Sequence, residues 1–390
     1  MDPGANPYSP GAGRPPAALA GRQDQLRSWQ IGLDRIERGR DAQPLVLYGL
    51  RGVGKTVLLN TFARRAQDRD WLVAQVEAGA GKTLREALGE ALHTPLADLA
   101  RPSAGTRLLR ALKTALSFKA SYDLNGSWNF GVDLTETAGG GADTGVLETD
   151  LTKLVNDLSA AALEEGVGLA VLIDEAQDLD TAELVALCSV AHLASQRSWP
   201  LLIALAGLPS LPRVLAEAKS YAERLFVYAS IEHLAAEAAR EALVKPAAEE
   251  GVRWADDAIE LILARALGYP YFVQQFGQDT WNAAEGPDLE LADARVGAVR
   301  GQQALDNGFF RVRWDRATRG EQQYLRAMSA AGDAPSSSSD VAARLDRKQS
   351  SLGPVRANLI NKGLIYAPEH GMVQFTVPGM ADFIGRQTEG

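Results

Sequence analysis

The sequence predicts an α/β protein: a mostly parallel sheet with helices on both faces, followed by a helical domain and a small domain of helices and one hairpin. Three patterns predict it. Short apolar runs at Leu45–Tyr48, Leu72–Val76, Leu169–Ile173, Leu201–Leu205 and Leu225–Tyr228 alternate with amphipathic stretches such as Val57–Gln67 and Asp150–Glu165. Runs with no polar face are strands buried on both sides. From about Ile231 to Asn307 these runs give way to Ala-rich helical spacing. Beyond Arg316 come helices at Thr318–Ala331, Asp340–Leu345 and Ser351–Lys362, with a Ser-rich loop at Ser336–Ser339, then a hairpin pairing Leu364–Ala367 with Met372–Thr376. The expected domains are a disordered Pro- and Gly-rich leader at 1–18, the sheet domain at 19–230, a helical lid at 231–312 and a C-terminal domain at 313–390. Three helices followed by a β-wing is the winged-helix pattern.

The leader lacks a basic start before an apolar stretch and is not a secretory signal. No apolar run nears the ~20 residues that span a bilayer, so a cytoplasmic protein is expected. Ala20–Arg38 follows with helical spacing of Leu26, Trp29, Leu33 and Ile36. Between the second and third strands Phe118, Ala120 and Tyr122 alternate up to Asn125-Gly126, and Trp128, Phe130, Val132 and Leu134 alternate after it. Asn-Gly between alternating runs signals a hairpin. An insert near 118–134 is therefore expected, either an edge ornament or a finger that touches a partner, with a Gly-rich connector at Gly139–Gly145.

A net charge of −9 excludes a surface coated for non-specific nucleic-acid or anionic-membrane binding. The lone cysteine, Cys188, lies in the helical run Glu183–Ala194 and reads as a small buried residue. With one Cys and four His, a zinc or haem centre is not expected.

Gly49-Leu50-Arg51-Gly52-Val53-Gly54-Lys55-Thr56 fits G-x-x-x-x-G-K-[ST] in full, between a strand and the amphipathic helix that Val57 continues. Glycines let the backbone N–H groups turn inward around phosphates, and the helix adds its positive end. Lys55 would neutralise the β- and γ-phosphates and Thr56 would give a hydroxyl to Mg²⁺. Gly79-Ala80-Gly81-Lys82-Thr83 ends similarly, but Val76 stands where the first glycine is needed, so it reads as a turn. Leu169–Ile173 runs into Asp174-Glu175. Asp174 at the strand's carboxyl end would hold the metal, and Glu175 is placed to polarise an attacking water. Gln177 and Asp178 are either helpers in orienting that water or solvated surface.

These motifs, with the helical lid and winged helix, resemble the AAA+ and STAND branches of the P-loop ATPases, nearest the origin-recognition-type initiators and their bacterial and archaeal ATP-binding relatives. The resemblance runs from about Leu19 to Arg386 and implies a P-loop NTPase fold with ATP and Mg²⁺ as ligands. It implies that Arg22 of Gly21-Arg22 lies near adenine. It gives Pro270 of Gly268-Tyr269-Pro270 a nucleotide contact, and it makes Arg224 an arginine that reaches ATP, often across a subunit boundary. By itself Arg224 also reads as a solvated or ion-paired residue. The fourth strand, Leu201–Ala206 followed by Gly207-Leu208-Pro209-Ser210, lacks the polar sensor that such relatives carry there, which suits a slow switch.

For the switch's reader, Arg347, Lys348, Arg356 and Lys362 around the helix Ser351–Lys362 are candidate DNA contacts. Against that, residues 315–390 hold nine Lys or Arg and eight Asp or Glu, a balance of only +1, and Glu369 at the wing tip repels phosphate. The sequence leaves two readings: an ATPase acting on DNA, or a STAND-type signalling switch whose winged helix docks a protein and which forms oligomers.

Overall fold

The computed structural model describes residues 1–11, 13–79, 81–99, 105–120 and 141–387. They gather in two compact units, one of Arg22–Gly49 and Lys55–Ile231, the other of Met1–Gly21, Leu50–Gly54 and Glu232–Gly390.

In the first unit five strands form one parallel sheet: β1 (Leu45–Tyr48), β2 (Leu72–Glu77), β3 (Leu169–Asp174), β4 (Leu201–Gly207) and β5 (Val227–Ser230), ordered β2-β3-β4-β1-β5. The fifth strand begins two residues later than its apolar run. Ala222–Leu225 is a helical turn, and the Phe226 N–H bonds back to the Ala222 carbonyl at 3.2 Å. The helices are α1 (Gln23–Glu37), α2 (Lys55–Gln67), α3 (Leu84–Leu99), α4 (Thr106–Ala120), α5 (Leu147–Glu165), α6 (Thr181–Arg197), α7 (Leu211–Ala218) and α8 (Ala222–Leu225).

Strand parity divides the helices between the two faces. Leu169, Val171 and Ile173 of β3 and Leu201, Ile203 and Leu205 of β4 share a core with Leu154, Leu158 and Leu187 of α5 and α6. The intervening Leu202 meets α1 at Gly32, where a Cβ would come within 2.9 Å of its Cδ2. On that face Trp29 stacks on Phe62 of α2 at 4.7 Å and donates its indole N–H to the Phe62 carbonyl at 3.0 Å. Cys188 of α6 is fully buried and its thiol is pushed up to about 11, so it is packing, as expected.

The expected hairpin does not begin at Phe118. Leu108, Ala111, Leu112, Ala115 and Phe118 recur at three- and four-residue steps and are all buried, so helix α4 carries through to Ala120. The rest of that hairpin, residues 121–134, and the first part of the connector, 139–140, lie outside the described residues.

The leader, residues 1–18, was expected to be disordered, and its described residues pack in the second unit. The leader is not loose: Tyr8 is buried against Gly277, where a Cβ would come within 2.8 Å of its ring. Its hydroxyl donates to the Leu243 carbonyl and accepts from the Trp254 indole at 2.9 Å. The Trp281 indole donates to the Asp2 carbonyl at 3.0 Å, and the Asn6 amide donates to the Gln278 carbonyl at 3.1 Å. One aromatic ring with two polar partners anchors a segment whose Pro and Gly content alone reads as unstructured.

The helices α9 (Ala236–Glu249), α10 (Asp256–Ala266), α11 (Pro270–Ala283) and α12 (Leu291–Ala304) follow, with a short parallel pair of β6 (Arg253–Trp254) and β7 (Asp288–Leu289). A π-turn at Leu305–Phe310 leads through α13 (Arg311–Asp315) to α14 (Arg319–Ser329). Then come β8 (Ser336–Ser337), α15 (Ser338–Arg344), α16 (Gln349–Asn361), β9 (Ile365–Tyr366), β10 (Met372–Phe375) and α17 (Met380–Gly385). The three strands form an antiparallel sheet ordered β8-β10-β9. The Ser-rich stretch is therefore a strand and a helix start rather than a loop: Ser336 and Ser337 pair with β10, and the Ser337 hydroxyl caps α15 by accepting the Asp340 N–H at 3.0 Å.

Glu321 closes a capping box with Thr318 and meets the Lys362 ammonium at 2.6 Å. Burial works to raise its carboxyl pKa, but the bonds from Lys362 and Thr318 prevail and hold it below the usual range. A depressed folded value means the pair's contribution is complete above the unfolded Glu range and is lost as pH falls through the folded value. Lys362→Met should cost roughly 1–3 kcal/mol of stability, measured by urea unfolding at pH 7, with the gap to the parent closing on acidification.

Candidate functional site

The loops after β1, β3 and β4 leave the same edge of the sheet, the carboxyl edge where ligands of open α/β sheets bind. Gly49 begins the loop after β1 and donates its N–H to the Gly207 carbonyl at the end of β4, at 3.1 Å. Lys55 opens α2, is 6% exposed, and donates its ammonium to the Gly49 carbonyl at 3.0 Å. Thr56 donates its hydroxyl to Asp174 Oδ2 at 2.6 Å, and Val57 continues the helix. Asp174 Oδ1 takes the Glu175 N–H at 2.9 Å, while Glu175 sits at φ +49°, a left-handed turn that swings its side chain away from the strand direction. Within this unit the structure thus brings Thr56 onto Asp174, with Lys55 one residue before the first and Glu175 one residue after the second.

Burial raises the Asp174 carboxyl pKa above the ordinary range, with the Thr56 hydroxyl and the Glu175 N–H pulling the other way. A hydroxyl and a carboxylate oxygen brought together are hard oxygen donors. Among the described residues no cluster of three or more His, Cys, Asp or Glu forms a complete cage. Hard oxygen donors suit Mg²⁺ better than Zn²⁺, which takes nitrogen and sulfur ligands. The residues therefore fit the metal.

The loop tip, Leu50–Gly54, packs within the second unit. Gly52 and Gly54 take φ +82° and +98°, which only glycine adopts without strain. Val53 is buried, and Arg51 packs its guanidinium against Gly363. The Tyr269 hydroxyl donates to the Arg51 carbonyl, and its ring occupies the space a Cβ on Gly52 would need. Tyr269 was not singled out in the sequence; its signal is only that it is the variable residue of Gly268-Tyr269-Pro270. Gly268 is required there, at φ +68°, because a Cβ would come within 2.6 Å of the Leu234 carbonyl. Pro270 is the first residue of α11, half-buried, where a missing N–H costs nothing. Arg22 is buried at the start of α1.

Arg224 stands elsewhere. It precedes β5, and β5 pairs Leu45↔Val227, so Arg224 lies at the amino edge of the sheet beside a groove of about 480 Å³ lined also by Asp41, His192 and Tyr221. Four residues of β1 at ~3.3 Å each separate that level from Gly49. Its side chain is exposed and makes no ion pair among the described residues.

The four candidate DNA contacts also separate. Arg347 and Lys348 are exposed, but Arg356 donates to the Met372 carbonyl at 3.3 Å and Lys362 is committed to Glu321 and the Arg316 carbonyl. Thr318-x-x-Glu321 was legible as a capping box, and a buried Glu needs a cation.

Residues 18–204 match the family model of the AAA ATPase domain. Residues 307–384 match a domain of unknown function, DUF8462. No curated protein matches the chain. Among solved structures, the chain is similar to the Walker-type ATPase PABY2304 of Pyrococcus abyssi, at 17% identity and a TM-score of 0.60, covering 95% of this chain and 98% of that one. It is also similar to Cdc6p of Pyrobaculum aerophilum, at 12% identity, a TM-score of 0.47 and coverage of 99% and 97%. For the RuvB Holliday junction branch migration motor of Thermotoga maritima the values are 14%, 0.47, 96% and 99%. The first of these supports the α/β fold around the AAA ATPase domain. Among the described residues no helix is long and apolar enough to cross a membrane.

A carboxyl raised by burial destabilises the metal-free fold as pH climbs through the carboxylate range, because the folded state favours the proton. Asp174→Asn should therefore raise Tm without Mg²⁺ at pH 7 while removing the Tm increase that Mg²⁺ and ATP give the parent, both read by calorimetry.

Proposed function

We propose that the protein is a slow ATP-hydrolysing switch. The observation that carries this reading is the Thr56 hydroxyl on the Asp174 carboxylate, with the Lys55 ammonium on the loop carbonyl of Gly49. Together they form an oxygen pair for a metal beside a cation for phosphate. Mg²⁺, which Thr56 and Asp174 would hold, would offset negative charge on the transferring group. Thr56 and Asp174 hold that ion, Lys55 holds the phosphates, the N–H groups of residues 50–57 surround them, and Glu175 takes the proton of the attacking water. Arg22 and Pro270 are proposed to contact the base and ribose side of the nucleotide. Arg224, at the far edge of its own sheet, serves a neighbouring copy, where a guanidinium offsets phosphoryl charge.

The C-terminal domain, proposed to be a winged helix, reads the nucleotide state. Docking onto a protein is the better-supported reading, because Arg356 and Lys362 are turned inward and leave Arg347 and Lys348 as the exposed basic pair. Contact with DNA through that pair is the second reading. Tyr269 and the loop tip Leu50–Gly54 belong to one unit, in which the Tyr269 hydroxyl donates to the Arg51 carbonyl.

Lys55→Ala should abolish binding of ATP with Mg²⁺, by calorimetry. Glu175→Gln should keep binding and lower kcat by about 10²–10⁴-fold; turnover at the parental rate removes Glu175 from the mechanism. With ATP and Mg²⁺, Glu175→Gln should form oligomers by light scattering. Mixing Arg224→Ala with Lys55→Ala should then restore activity only if the arginine acts across copies. DNA affinity that falls when Arg347 and Lys348 are both neutralised would decide for the second reading.

A further inference from the structure

Between β3 and α6 lies a short turn, Ala176–Asp178, and its central side chain links Glu175 to the neighbouring strand. Gln177 Nε2 donates to Glu175 Oε2 at 2.7 Å and, more weakly, to Asp178 Oδ1 at 3.2 Å. Its Oε1 accepts the Leu208 N–H, just past the end of β4, at 2.8 Å. Both ends of one amide are thus used, and the acceptor and donor roles are fixed by their partners: a backbone N–H can only donate, and an ionised carboxylate only accepts. The residue that ends β4 leaves space for this. At Gly207 a Cβ would fall 2.5 Å from Gln177 Oε1 and 2.8 Å from Leu211 Cδ2. Gly207 also offers its carbonyl to the Gly49 N–H, the first residue of the phosphate loop, at 3.1 Å. A continuous path follows: Gly49 N–H to Gly207, the next residue's N–H to Gln177, Gln177 to Glu175.

We infer that Gln177 is the positioning residue for Glu175, holding the water-activating carboxylate and tying its place to the phosphate loop through the end of β4. The strand end carries Gly207-Leu208-Pro209 and no polar side chain of its own, so the polar group at that place comes from the turn after β3. A carboxylate that must accept a proton from water works only within a few tenths of an ångström of its working position, and an oriented amide on one of its oxygens fixes that position. Shifts of the loop on binding a triphosphate reach Glu175 along the same bonds. This inference rests on the hydrolysis reading above.

The test is steady-state ATP hydrolysis and calorimetric ATP affinity, with Mg²⁺, for the parent, Glu175→Gln, Gln177→Ala, Gly207→Ala and the Gln177→Ala/Gly207→Ala pair. Gln177→Ala should lower kcat about 10- to 100-fold while KM and ATP affinity stay within about threefold. Gly207→Ala, by displacing the amide, should lower kcat similarly. The pair should be no worse than the lower single variant, since both remove one interaction. Should Gly207→Ala fail to fold, Gln177→Ala alone decides through the split between kcat and KM. Unchanged kcat in Gln177→Ala, kcat and affinity falling together, or effects that multiply in the pair each overturn the inference. A parent that binds ATP without ever hydrolysing it overturns the hydrolysis reading and this inference with it. A parent that hydrolyses ATP, with Gln177→Ala at parental kcat, overturns this inference alone.

Discussion

Parallel register is the constraint on which the site depends. In a parallel sheet every strand leaves at the same edge, so the loop after β1, the acidic pair after β3 and the end of β4 arrive together without any long-range instruction beyond pairing. The pairing Leu47↔Ala206, with Ile173↔Leu205 on the other side of β4, sets Asp174 level with Leu47, two residues before the phosphate loop begins. A slip of one residue would turn Asp174 to the opposite face and separate it from Thr56.

That arrangement brings a buried ammonium, Lys55, to the same sheet edge as a carboxyl, Asp174, whose pKa burial raises. A buried ammonium and a carboxylate raised by burial are costly alone. Each becomes favourable beside the ligand of opposite sign that it awaits: a polyphosphate for Lys55, a divalent cation for Asp174. In the proposed reading, ATP and Mg²⁺ would together relieve that electrostatic cost, and nucleotide state would then weigh on the stability of the fold around the site.

The C-terminal unit shows a different economy, in which groups that look available are committed. Lys362 neutralises the capping Glu321, Arg356 ties α16 to β10, and Tyr269 covers the loop tip at Arg51 and Gly52. Each bond fixes a piece of local geometry, so the surface left for a partner is smaller and less basic than a list of cationic residues suggests. The leader behaves alike: Tyr8 finds a socket against Gly277 that its own segment cannot reveal.

By itself the sequence determined the parallel sheet, and it placed the loop Gly49–Thr56 after the first strand and Asp174-Glu175 at the end of the third. The reason is that local rules write these features: apolar runs of strand length, glycines needed at positive φ, and an acidic pair at a strand end. It left Arg224, Gln177, Tyr269, Tyr8 and the inward turn of Arg356 and Lys362 open, and read the leader, the Ser-rich stretch and the start of the hairpin differently. Tertiary structure alone supplied the partners that lie far along the chain: Leu208 for Gln177, Arg51 for Tyr269, Leu243 and Trp254 for Tyr8, Glu321 for Lys362. Periodicity records which face of a segment is buried, whereas the identity of the group waiting on the other side is set by how strands and helices pack.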